Sequence, residues 1–392
     1  MEAIEVSVII PCLNEEKTLP ACIEVARSAM HKAGISGEVV ISDNGSTDQS
    51  VAVANDNGAR VVLATRKGYG NAIICGMRAA QGKFLVMGDA DGSYDFNDIP
   101  KFISALREGA DFVIGSRIKG TIHPGAMPFL NRYLGTPVLT GLINLFFKSR
   151  ISDVNCGLRA LTKKAFDSLR LRAGGMEFAS EMVIKASLLG LKIVEIPTPL
   201  FPDTRDRPPH LRPFRDGWRH LRFLLLFTPT WLFFIPGFVF LLSGCIILVT
   251  MLYFDFKNFG FFSMLFGQGL VLLGAQIIFL GVAARTYSQL KSFLISNDPV
   301  DRFLKSFTIE KGVAIGAILS AVGVAICVGV GYKLLVFMSN PANVGIFNFP
   351  VTKMGIVGAT FAILGFQIIF SSFYSGLFNV QVIGEDLPDE QQ

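Results

Sequence analysis

Charge is scarce in this chain: 17% of its 392 residues are Asp, Glu, Lys or Arg, against about 25% in an ordinary soluble domain. With 51% hydrophobic residues and a mean hydropathy of +0.48, a disordered or fibrous chain is excluded, and part of the sequence has too little polar surface to face water. Cysteine is also sparse. Cys12, Cys22, Cys75, Cys156, Cys245 and Cys327 form no C-x-x-C pair and no ligand spacing with the four histidines, which argues against a zinc site or a disulfide framework. The pattern reads as reduced and cytosol-facing. No secretory signal is expected, because Glu2 and Glu5 flank the start and the apolar run Val6 to Ile10 leads straight into Pro11. Neither the G-x-G-x-x-G nor the P-loop spacing occurs.

What charge there is lies unevenly. Up to Arg222 there are 28 Lys+Arg and 23 Asp+Glu; from Phe223 onward there are 8 of each. The excess concentrates in Arg205, Arg207, Arg212, Arg215, Arg219 and Arg222, which face only Asp206 and Asp216 within 18 residues. Basic residues beside an apolar run mark the cytoplasmic side of a membrane and hold anionic headgroups. They also suit a grip on a substrate phosphate.

Residues 1–204 alternate short apolar runs (Val6 to Ile10, Glu38 to Ser42, Arg60 to Leu63, Phe84 to Met87, Phe112 to Ile114) with amphipathic windows (Lys17 to Ala33, Asp48 to Asn57, Asn71 to Ala80, Ile99 to Arg107). This alternation predicts an α/β domain with a mainly parallel sheet and helices on both faces, with ligands beyond the carboxyl ends of the strands. Residues 205–228 form a basic juxtamembrane segment suited to the membrane interface. Residues 229–376 hold four apolar stretches, Thr230 to Phe254, Phe259 to Ala284, Val313 to Met338 and Met354 to Gly376, each long enough to cross a bilayer. Residues 377–392 form an acidic tail. Five Lys/Arg between Arg285 and Lys311, and none from Ser339 to Thr352, place the first domain, the middle connection and the tail in the cytosol. Leu273 to Phe279 and Leu364 to Phe370 share six of seven residues at an offset of 91, so the helical hairpins read as copies. Gln276 and Gln367 are expected to make interhelical hydrogen bonds.

Chemistry-bearing residues cluster at strand ends. Gly88-Asp-Ala-Asp-Gly-Ser-Tyr-Asp95 follows a buried strand, and its two carboxylates, one residue apart, suit one hard divalent cation on a diphosphate. Pro11-Cys-Leu-Asn-Glu-Glu16 and Asp43-Asn-Gly-Ser-Thr-Asp48 end the first two strands, offering acceptors to a base and ribose. In the second of these, Ser46 or Thr47 is placed to cap the next helix. Arg66-Lys-Gly-Tyr-Gly-Asn-Ala72 is a basic turn opening a helix, a geometry for phosphate or sugar.

With Gly115-Ser-Arg117, Asn131-Arg132, Asp153-Val-Asn-Cys-Gly-Leu-Arg159 and Phe178-Ala-Ser-Glu-Met182, these stretches resemble the inverting family 2 (GT-A) glycosyltransferases. The nearest resemblance is to the polyprenyl-phosphate branch, the dolichol-phosphate mannose synthases and undecaprenyl-phosphate glucosyltransferases. It covers residues 4 to 222. The resemblance implies Mg²⁺ or Mn²⁺ on Asp89 and Asp91, and a nucleotide-sugar donor at Pro11, Asn14, Glu15 and Asp43, with Lys67 and Gly68 beside it. A polyprenyl phosphate would be met by Arg117, Arg132 and Thr136, with Asp153, Arg159, Glu181, Arg205 and Arg207 also on the acceptor side. Two departures stand out: Ser93 replaces a family Gln, and Arg207-Pro-Pro-His-Leu-Arg212 replaces R-x-x-G-x-S-K. The expected reaction is transfer of one hexose, from UDP-glucose or GDP-mannose, with inversion at the cytosolic face of a bacterial or archaeal plasma membrane. A phosphate monoester is mostly dianionic at neutral pH, so no general-base histidine is demanded. The expected partners are donor, lipid acceptor and membrane lipids, with a homo-oligomer allowed and no nucleic acid. The rivals are a processive polysaccharide synthase, whose Q-x-x-R-W signature is absent, and a lipid-linked sugar flippase.

Overall fold

The computed structural model describes residues 4–204, 213–226, 228, 230–254, 260–290, 308–339 and 349–377. They form two compact units, Met1–Leu224 and Leu225–Gln392.

The first unit is built in chain order from β1 (Val6–Cys12), α1 (Leu19–Lys32), β2 (Gly37–Asp43), α2 (Ser50–Asp56), β3 (Arg60–Leu63), α3 (Tyr69–Ala79), β4 (Phe84–Met87), α4 (Ile99–Arg107), β5 (Phe112–Ser116), α5 (Thr136–Phe147), β6 (Arg159–Thr162), α6 (Lys163–Leu169), α7 (Phe178–Leu188) and β7 (Ile193–Pro197), and α8 (Pro213–Leu226) follows. The seven strands lie in the order β3-β2-β1-β4-β6-β5-β7. All pairs are parallel except those of β6, which runs antiparallel between β4 and β5. β1 and β4 are buried end to end apart from Pro11, as strands covered by helices on both faces must be. α4 shows how the helices attach: Ile99, Phe102, Ile103 and Leu106 form one buried stripe, each contributing about 2 kcal/mol of apolar burial. Pro100 sits in its first turn, where no amide donor is needed. The chain leaves β1 toward β2 and returns to pair β4 on β1's other side, so a crevice opens at the carboxyl ends of β1 and β4.

The strand expectations for β1 to β5 are met within two residues at each end. β6 and β7 escape the sequence reading because a charge interrupts each: Arg159 opens β6, and Glu195 lies mid-strand in β7. The capping expectation is corrected as well. Gln49 precedes α2 without a side-chain cap, and Ser46 Oγ instead accepts the amide of Asn14 at 2.9 Å.

The second unit holds α9 (Ile235–Tyr253), α10 (Gly260–Leu290), α11 (Ile309–Met338) and α12 (Phe349–Leu377). Four stretches in it, Thr230–Tyr253, Gly260–Tyr287, Ile309–Val336 and Val351–Leu377, are long and apolar enough to cross a membrane. The duplication read from the sequence is built into their packing. Gly237 and Gly244 of α9 lie against Gly274 and Gly267 of α10, and Gly316 and Gly323 of α11 lie against Gly365 and Gly358 of α12. A Cβ at Gly274 would stand 2.7 Å from the Gly237 carbonyl, and one at Gly365 would stand 2.5 Å from that of Gly316. Each hairpin thus pairs two glycines seven residues apart on both helices, allowing close backbone approach. The expectation for Gln276 and Gln367 is not met. Among the described residues neither amide makes an interhelical hydrogen bond: Gln367 Oε1 is buried without a partner, and Gln276 is exposed.

Candidate active site

Hydrogen bonds stitch four strand-end loops across the carboxyl edge of the sheet. Asn14, in left-handed backbone with φ of 59°, a conformation Asn tolerates, accepts the Thr47 amide at 2.7 Å and so ties the β1 loop to the β2 loop. The Glu15 amide donates to Ser50 Oγ at 2.8 Å, and Glu15 itself is buried. Asp43 closes the β2 turn by accepting the amides of Gly45 and Ser46. Asn44 then joins the β2 loop to the loop before α3: its Oδ1 accepts the Gly68 amide at 2.7 Å, its Nδ2 donates to the Arg66 carbonyl, and its own carbonyl accepts Lys67 Nζ. Pro11 lies in β1, opposite Ser42. All six residues expected on the donor side therefore belong to one connected edge, and Asn44, which sequence reasoning missed, is its central link.

The same chain of contacts reaches the paired carboxylates. The Tyr69 hydroxyl donates to Asp89 Oδ1 at 2.9 Å. Desolvation, with the Asp89 charge behind it, holds the Tyr69 phenol well above its ordinary pKa, so it remains a donor. Asp91 Oδ1 accepts both the amide and the hydroxyl of Ser93, at 2.9 and 2.6 Å. Ser93, the departure from the family Gln, therefore fixes the Asp91 carboxylate. The Asp91 carbonyl in turn accepts the amide and hydroxyl of Thr204. Opposite Asp89 lies Gly157, whose amide donates to the Tyr94 hydroxyl at 2.7 Å. Among the described residues no group of three or more His, Cys, Asp or Glu side chains converges on one point. Two carboxylates at a strand end suit Mg²⁺ or Mn²⁺, which take one or two carboxylates and complete their shell with substrate phosphate and water.

On the acceptor side the structure separates what the motifs group together. Arg117 forms a two-pronged pair with Asp153, Nε to Oδ2 at 2.7 Å and Nη2 to Oδ1 at 2.8 Å, and Asp153 also accepts the Arg117 and Asn155 amides. Burial opposes the Arg117 charge, yet Tyr94 and Asp153 raise its pKa above the usual arginine value. Its guanidinium is therefore engaged by Asp153. Arg159 is completely buried and donates to the carbonyls of Cys156, Ala179 and Val154, bracing the turn that carries Gly157. Glu181, also buried, accepts the Arg172 and Ala173 amides and pairs with Lys185 at 2.7 Å. Both side chains hold loops. Thr136 is buried and accepts Asn155 Nδ2. Arg132 is exposed, its guanidinium 5.4 Å from the centre of the Tyr133 ring. Arg205 and Arg207 lie outside the described residues.

Sequence comparison gives this geometry its family. The model for glycosyl transferase family 2 matches residues 7–170, and that for the family 2 C-terminal transmembrane region matches residues 282–379. The low-salt glycan biosynthesis hexosyltransferase Agl6 of Haloferax volcanii is 35% identical over 94% of this chain and 88% of its own length. The chain belongs to glycosyltransferase family 2. A dolichol-phosphate mannosyltransferase of Pyrococcus furiosus is 31% identical over 49% of this chain and 55% of its own. A Mycobacterium tuberculosis glucosyl-3-phosphoglycerate synthase structure, with Mn²⁺ and UDP-glucose, covers 57% of this chain and 78% of its own with a TM-score of 0.46 and 23% identity. This family 2 glycosyltransferase is an integral membrane protein with a mainly parallel α/β domain followed, among the described residues, by four apolar helices.

Proposed function

We propose that the protein transfers one hexose from a nucleotide sugar, UDP-glucose or GDP-mannose, to a polyprenyl phosphate, dolichyl or undecaprenyl, with inversion at the cytosolic membrane face. One observation carries this reading. The segment 129–135 and helix α5, downstream of β5, present Phe129, Leu130, Tyr133, Leu134 and Val138 outward, with Phe129 78% and Tyr133 60% exposed, and Arg132 stands among them. A contiguous apolar surface of this kind on a catalytic domain marks contact with lipid, and an arginine set into it suits a phosphate on an isoprenoid chain. The hexosyltransferase and dolichol-phosphate names of the two relatives support the same class.

The residues divide the work accordingly. The edge from Asn14 to Gly68 would receive base, ribose and diphosphate, and Arg132 would orient the acceptor phosphate. The acceptor is already ionised, so it attacks the anomeric carbon without a proton acceptor. A divalent cation on Asp89 and Asp91 would neutralise charge on the departing diphosphate. The five Lys/Arg between Arg285 and Lys311 support the cytosolic orientation. Full-length protein in mixed lipid vesicles, given labelled UDP-glucose or GDP-mannose with Mg²⁺ and undecaprenyl or dolichyl phosphate, is expected to place label on the lipid phosphate. Label appearing in a polymer, or no transfer from any nucleotide sugar to lipid phosphate, would overturn the proposal.

A further inference from the structure

From the membrane unit we infer an interaction surface: α10 pairs with α10 of a second copy of this chain, joined at Gln276. Phe262, Phe266, Gly269, Leu273, Gln276 and Leu280 recur at alternating spacings of four and three along α10. That 3.5-residue period lays them in one straight seam. Among the described residues the seam is uncovered: Phe262 is 79% exposed, Leu273 and Leu280 are each close to half exposed, and the Cβ position at Gly269 has nothing within 4 Å.

The repeat shows what such a seam does when it has a partner. Shifting by 91 residues turns it into Lys353, Val357, Thr360, Leu364, Gln367 and Ser371 of α12. There Lys353 and Thr360 are buried, and Val357 and Leu364 pack on the cluster of Leu248, Met264, Val271 and Ile356. The same stripe is therefore covered within the chain in one hairpin and left open in the other.

Gln276 decides which occupant fits the open stripe. It lies about 4 Å along the helix from the middle of the span Gly260–Tyr287, where water does not satisfy an amide and lipid chains offer no partner. Two copies inserted in the same direction are related by an axis along the membrane normal, so one helix packed on its own copy brings each residue to its counterpart at equal depth. A glutamine amide carries both donor and acceptor and so satisfies its own copy. Gly269, two turns away on the same seam, lets the backbones come close.

Fluorescence energy transfer between two labelled pools of full-length protein, mixed in phosphatidylethanolamine/phosphatidylglycerol vesicles over a range of protein-to-lipid ratios, tests this. Gln276→Leu is expected to weaken association by about 3- to 30-fold. Gln276→Asn should retain most of it, and Gln367→Leu should leave it unchanged. In a background with Cys245 and Cys327 replaced by Ser, oxidation should cross-link Leu280→Cys into a dimer and leave Val328→Cys on α11 monomeric. Association insensitive to Gln276→Leu, cross-linking through position 328 instead of 280, or monomer at every ratio would each overturn the inference. None of these readouts depends on the donor or acceptor, so their outcome is separate from that of the transfer assay.

Discussion

Gly157→Ala is the sharpest test of how the carboxylate pair is held. A Cβ at this position would stand 2.6 Å from Asp89 Oδ2 and 3.0 Å from Tyr94 Cε2. Ordinary contact begins at 3.4 Å, so the carboxylate would have to retreat by about 0.8 Å, a displacement of the size that costs a reacting geometry on the order of 100-fold in rate. Tyr69 pins Oδ1, so Oδ2 yields by turning the carboxylate about that anchor. The expected result is kcat lowered about 100-fold, or about 2.7 kcal/mol of activation free energy, with a raised half-saturating concentration of Mg²⁺ or Mn²⁺. The fold should lose little, because the Tyr94 ring need give only a few tenths of an ångström. Initial rates across a metal series, with thermal unfolding alongside, separate the two effects. A variant that turns over within about threefold of the parent, with unchanged metal dependence, would refute the idea that this glycine exists to let the Asp89 carboxylate lie where it does.

Tyr69→Phe removes the hydroxyl on Asp89 without changing the ring, and a 10- to 100-fold rise in half-saturating metal is expected, about the cost of losing an orienting hydrogen bond behind a ligand. An unchanged Mn²⁺ titration would show that the hydroxyl organises nothing. Arg132→Ala should raise the KM for polyprenyl phosphate by about 30-fold, the equivalent of about 2 kcal/mol for a charge-assisted pair, with donor affinity held within about twofold; equal losses would move Arg132 to the donor side. Arg117→Met and Asp153→Leu should each destabilise by about 3 to 5 kcal/mol because each strands a buried charge, and the double variant should lose less than either; additive losses in thermal unfolding would argue against the pairing. Burial pushes the Cys22 thiol up to about 11 and the Cys156 thiol up to about 12, so neither should react with iodoacetamide at pH 8 until the protein unfolds, as mapped by peptide mass. A thiol whose folded pKa exceeds its unfolded value stabilises the fold fully only below the unfolded value, so these two should make stability fall as pH rises from about 8.5 toward 12.

The parts of this molecule that can be read directly from sequence are those whose physics is local. Parallel strands covered on both faces show as apolar runs, membrane spans as long ones, and Asp89 and Asp91 stand out because paired acids directly after a buried strand have few structural uses. Elements that depend on distant partners are hidden. β7 carries Glu195 because the Ser152 amide and Lys119 meet it from elsewhere in the chain. β6 opens with a buried arginine because three carbonyls enclose the guanidinium. The motifs put Arg117 and Asp153 in one list of acceptor groups, but a linear reading cannot show that these residues neutralise each other across 36 positions. Tyr69 and Asn44 were missed for the complementary reason. Each sits inside a stretch singled out for its neighbours, and its work is to join that stretch to the next loop. The membrane unit shows where a sequence signal was present and went unused. The heptapeptide, matched at six of its seven positions, exposes one half of the duplication at an offset of 91, whereas α9 and α11 share only Gly237 and Gly244 against Gly316 and Gly323, with Ile247, Val249 and Tyr253 against Ile326, Val328 and Tyr332, at an offset of 79. Those glycines persist because each is met by a backbone carbonyl or amide of the facing helix within about 3 Å. Isoleucines recur with them: Ile278 and Ile369 meet Gly237 and Gly316, and Ile247 and Ile326 meet Gly267 and Gly358, so the repeat preserves the close backbone approach together with the branched side chains that flank it.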